Sequence, residues 1–179
     1  EAGPRSGGWY LFQFNRYDDR QFGRYGFNLM EADLRQYVPI FNERRVFAFR
    51  ARTILTDTRA GEVVPFYLQP VLGGGDDLRG FRPYRFRDRN SLLLNGEYRW
   101  EIFAGLDMAV FADAGKVFSR RGQLNLSNLE SNVGFGFRAN AQNRTFLRLD
   151  VAFSHEGFQI WFKFNDVFAG RRYGTSSTQ

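Results

Sequence analysis

The chain has 179 residues, no cysteine, a net charge of +6, 18% aromatic and 25% charged residues, and a mean hydropathy of -0.45. That length suits one domain, the missing cysteine excludes disulfide scaffolds and cysteine-based zinc sites, and no run of about 18 apolar residues supplies a transmembrane helix. All 25 cationic residues except Lys116 and Lys163 are arginine, 21 residues are phenylalanine, and residues 1–8 lack the charged start and apolar middle of a signal peptide.

Taken in chain order, the signal is period two, the spacing that puts successive side chains on opposite faces of a strand. Residues 9–16 form a first segment; 27–38 follow, with Met30, Ala32 and Leu34 opposite Glu31, Asp33 and Arg35; then 46–55, with Phe47 and Phe49 opposite Arg50 and Arg52. The cleanest alternation is 91–102, where Leu92, Leu94, Gly96, Tyr98, Trp100 and Ile102 oppose Ser91, Leu93, Asn95, Glu97, Arg99 and Glu101. In 108–118 Met108, Val110 and Ala112 oppose Ala109, Phe111 and Asp113. Three more segments carry Val133, Phe135, Phe137 against Asn132, Arg138; Leu147, Leu149, Val151, Phe153 against Arg148, Asp150; and Ile160, Phe162, Phe164, Phe168 against Trp161, Lys163.

Eight strands of about ten residues have the length that crosses a bilayer when tilted. The gaps after the second, fourth and sixth are tight and those after the first, third and fifth are longer, the asymmetry of an outer-membrane barrel; the short gap 154–157 departs from it. The reading is all-β: a transmembrane antiparallel up-and-down barrel over 1–168, with a long loop at 57–90 and a flexible tail at 169–179. A soluble barrel or sandwich shows the same alternation and stays open as the alternative. Mixed charges on one face suit a lumen where they pair, and Trp9, Tyr10, Tyr25, Tyr37, Phe118, Phe158 and Phe168 suit interfacial girdles.

The stretch GGGDDLRGF at 73–81, the Glu97 strand, VFADAGKVF at 110–118 and a last strand ending on Phe168 together resemble the barrel of the BamA/TamA-like bacterial surface antigens of the outer-membrane assembly superfamily. The resemblance covers nearly the whole chain. It implies a bacterial outer-membrane protein that inserts or secretes others, with a loop motif Leu78, Arg79, Gly80, Phe81 whose arginine is held in the lumen by Glu97 and Asp113. It also implies that Phe158, Phe162, Phe164 and Phe168 form an assembly signal, although Asn165 stands where glycine is frequent. Both acids fall on the charged face of consecutive strands, where an arginine fork can satisfy them bidentately; Gly80 is expected to relieve backbone crowding at the turn, because glycine reaches positive φ freely.

The simpler reading leaves Arg79 in solvent with Arg82, Arg85, Arg87 and Arg89, which are also expected to be exposed or to meet anionic lipid or lipopolysaccharide phosphates. Expected partners are outer-membrane lipid, client outer-membrane proteins or assembly machinery, and a second copy if the eight strands form half of a sixteen-strand barrel. Self-closure is favoured, because open strand edges are not tolerated in lipid, and the loop then caps the barrel with only its arginine tip inside. A stand-alone scaffold is the alternative function. No catalytic residue, cofactor or metal is expected: His155 beside Ser154 and Glu156 on one turn does not make a nucleophile-base-orienter set, Gly73–Gly75 lack a following Lys-Ser/Thr, and Asp76 with Asp77 fall short of a calcium site. Arginines split between one strand face and several loops argue against nucleic acid.

Overall fold

A computed structural model describes residues 5–19, 23–41, 44–141 and 144–164. Phe168, Asn165 and the 169–179 tail lie outside them. The wall is an antiparallel sheet of β1 (Gly7–Tyr17), β2 (Phe27–Ile40), β3 (Arg45–Thr58), β6 (Asn90–Phe103), β7 (Leu106–Phe118), β8 (Glu130–Ala141), β9 (Arg144–Ser154) and β10 (Gly157–Phe164), each paired with its neighbour in that order. Between β3 and β6 the long loop makes its own two-stranded ribbon, β4 (Val71–Leu72) with β5 (Phe86–Arg87). No helix among the described residues is long and apolar enough to cross a membrane.

Burial separates the two faces and decides between the two readings of the alternation. Phe12 is 74% exposed, Val133 60%, Ile160 59% and Phe164 70%, whereas Asp33, Asp113 and Asp150 are at most 2% exposed. A water-soluble sandwich would bury the first set and wet the second. An apolar outside around a charged inside is the arrangement of a wall whose outer solvent is hydrocarbon. Tight turns join β2 to β3, β6 to β7 and β8 to β9 at one end, and the longer connections 18–26, 59–89 and 119–129 lie at the other, with the short 155–156 turn.

Two expectations change. β1 and β10 each have a single neighbour among the described residues, so the favoured self-closure is not what the sheet shows. The loop also does more than dip a tip inward: Leu72, Leu78, Phe81 and Leu93 form a buried apolar cluster with Phe86 and Val117 against it. An open sheet presents a broad concave face, so a whole ribbon can lie on it, where a closed eight-strand barrel has an interior just wide enough for its own side chains. Two aromatics assigned to the girdles belong elsewhere. Phe118 is 4% exposed, and Trp9, directly across from Arg35, carries that guanidinium 4.5 Å above its ring.

Candidate functional site

Register builds the site. Arg50, Asn95, Asp113, Asn132 and Ser154 lie directly opposite one another across β3, β6, β7, β8 and β9, which makes one polar belt on the concave face. The next belt runs through Ala48, Glu97, Phe111, Gly134 and Ala152, and its small members leave room for the ring of Phe111. The loop lowers its motif onto these belts. Leu78 and Phe81 are 0% exposed and Arg79 is 4% exposed.

The Arg79 guanidinium donates from Nε and Nη2 to the two oxygens of Asp113 at 2.8 and 2.7 Å, and from Nη1 to Glu97 at 2.6 Å. Its Cζ lies 3.4 Å from the centroid of the Phe111 ring. A planar fork, a bidentate carboxylate and an aromatic platform use what arginine has and lysine lacks. Burial alone would lower the Arg79 pKa, but Asp113 and Glu97 outweigh it and hold the pKa above its ordinary value.

The acids are shared with neighbours the sequence reading left unassigned. Asn95 and Asn132 donate their amides to Asp113 at 2.7 and 2.9 Å. Glu97 also accepts from Arg99 at 2.6 Å and Arg138 at 3.3 Å, and Arg138 and Arg148 reach Asp150 at 2.5 and 2.6 Å. Every carboxylate of this buried cluster therefore meets at least two donors, the condition under which buried charge is tolerated. On the loop itself, burial pushes the Asp77 carboxyl up, and Arg50 and Arg52, 3.8 and 4.0 Å away, offset that only in part.

Gly80 relieves crowding, but by a different means from the one expected. Its φ is not positive; instead, a Cβ there would lie 2.4 Å from the Cβ of Asn132 and 3.0 Å from that of Ser154. The requirement is close approach of loop backbone to wall. Arg82, Arg85, Arg87 and Arg89 are exposed, with Arg85 paired to Glu156 at 2.8 Å. Phe158, Phe162 and Phe164 stand outward at 63%, 56% and 70% exposure, away from the motif. Ser154 spends its hydroxyl on the Gly80 carbonyl at 2.8 Å, and His155 lies 3.5 Å from Glu130. Asp76 is taken by Lys163.

The Omp85 superfamily domain matches residues 4–165. The chain belongs to the Omp85 superfamily. This Omp85 domain is thus part of an outer-membrane assembly and translocation family and resides in the bacterial outer membrane. Among solved structures it is similar to BamA from Haemophilus ducreyi lacking POTRA domains 1-3, with a TM-score of 0.74 at 16% identity, over 92% of this chain and 38% of that one. At that identity the likeness is one of fold, and the Omp85 domain spans 38% of the length of the chain it matches. No curated protein matches the sequence.

Proposed function

We propose that this Omp85 barrel inserts or translocates other outer-membrane proteins, and that Arg79 is the bolt that keeps its long loop inside the wall while it does so. The observation that carries the reading is the buried Arg79 fork, closed on Asp113 and Glu97. A loop whose tip is fastened by a charged network is fixed in position yet exchangeable, because each carboxylate keeps other donors on the wall when the arginine leaves. Client barrels and the assembly machinery are the partners this work requires.

The test is reconstitution of the full-length protein in lipid vesicles with a urea-unfolded small barrel as client, read as protease-protected client. Wild type and Arg85→Glu are expected to protect it, because Arg85 sits at the wet rim, where an ion pair contributes little; Arg79→Glu is expected not to. Protection no better than in empty vesicles overturns the insertase reading in favour of a scaffold. Equal protection by Arg79→Glu and wild type removes the bolt.

A further inference from the structure

The β9–β10 hairpin holds the loop through groups that the Arg79–Asp113–Glu97 cluster does not use. Two consecutive carbonyls at the loop's tip accept from it: Arg79 from Trp161 Nε1 at 2.6 Å and Gly80 from Ser154 Oγ at 2.8 Å. Buried backbone carbonyls need such partners, and no strand ladder reaches these two. The indole of Trp161 also lies against the loop backbone, close enough that a Cβ at Gly75 would meet its ring at 3.0 Å. Above and below, Lys163 pairs with Asp76, Arg85 with Glu156, and the ring of Phe81 meets that of His155 at a centroid distance of 5.5 Å. These contacts matter because of where β10 sits. Among the described residues it has β9 on one side and no strand on the other, so its remaining attachments to the molecule run through the loop.

We infer that Trp161 is a positioning residue that ties the seating of the last strand to the docking of the loop, so that β10 loosens from β9 when the loop leaves the wall and tightens when it returns. Only the use of this coupling, letting a client in at a freed strand, rests on the insertase reading; the coupling itself stands on the contacts above.

Hydrogen exchange of the full-length protein in detergent, resolved by mass spectrometry, tests it. Trp161→Phe keeps a ring against Gly75 and removes the indole N–H. It is expected to speed exchange in both 157–164 and 75–81 by about fivefold, the factor set by one net hydrogen bond. Arg79→Gln, a change in the loop, is expected to speed exchange in 157–164 as well. Ile160→Val, outward on the same strand, is expected to leave 75–81 unchanged. If Trp161→Phe moves only its own strand, or Arg79→Gln only the loop, the coupling is overturned. Should Arg79→Gln not fold, Gly75→Ala crowds the indole from the loop side and is read against the same two outcomes. Coupled exchange in a protein that fails the vesicle assay removes the insertase reading alone, and working insertion with uncoupled exchange removes this inference alone.

Discussion

An arginine is tolerated deep in a barrel wall only when its donors all find acceptors, and Arg79 spends Nε, Nη1 and Nη2 on two carboxylates. A lysine there offers a point charge that cannot span both acids. Arg79→Lys is therefore expected to lower the unfolding temperature on a heat-modifiability gel, and Arg79→Ala to cost about 3–5 kcal/mol in a urea titration, because buried Asp113 loses the cation that faces it while Glu97 keeps Arg99 and Arg138. Asp77 gives a pH signature of opposite sign to a well-paired acid. Its pKa in the folded protein is raised by burial beyond what Arg50 and Arg52 offset. Its contribution is therefore complete below the ordinary aspartate value of about 4 and is lost as pH rises through the raised value. Asp77→Asn should match wild type in acid and unfold at a higher temperature than wild type once the pH exceeds that raised value; equal midpoints at neutral pH would contradict this.

At the level of strands, small residues decide where large ones go. Gly134 on β8 sits beside Phe111, and a Cβ there would lie 2.3 Å from the Val151 carbonyl oxygen, which the β8–β9 ladder holds, and 2.4 Å from the ring, which can move. Gly134→Val is expected to displace the ring from beneath the Arg79 guanidinium and to expose the loop to trypsin, while Val133→Ala, outward on the same strand, leaves cleavage unchanged. The period-two pattern located all eight wall strands, because outward Phe and Val against inward Asp and Arg is a local property of each segment. Arg79, Glu97 and Asp113 were singled out through a motif. Arg138, Asp150, Asn95, Asn132 and Trp161 were not, although most fell on the charged face. Which of them converge depends on register between strands far apart in sequence, and nothing within one segment encodes that. Phe118 was misplaced for a related reason: near its strand's end the neighbouring chain, rather than lipid, sets the surroundings.

For the molecule as a whole, the two faces explain why so aromatic a chain has a slightly polar mean hydropathy of -0.45: each strand averages a lipid surface with a salt-bridged one. The sheet's edges are its unfinished business, since lipid offers no donors or acceptors to the outer edges of β1 and β10, which face no strand among the described residues. Cysteines at Phe12 and Ile160, outward near the middle of those strands, are expected to form no crosslink within one chain; an efficient intramolecular disulfide would show that the eight strands close on themselves. The order in which the loop's partners occur along the chain has a further consequence. Arg79 is followed by Glu97 after 18 residues, Asp113 after 34 and Trp161 after 82. Contacts of such long separation are slow to form, and the last of them does not exist until nearly all the described chain has been synthesised. The Trp161 bond to the docked loop is thus a certificate of completion, since it cannot form in a wall whose final strand is not yet in place.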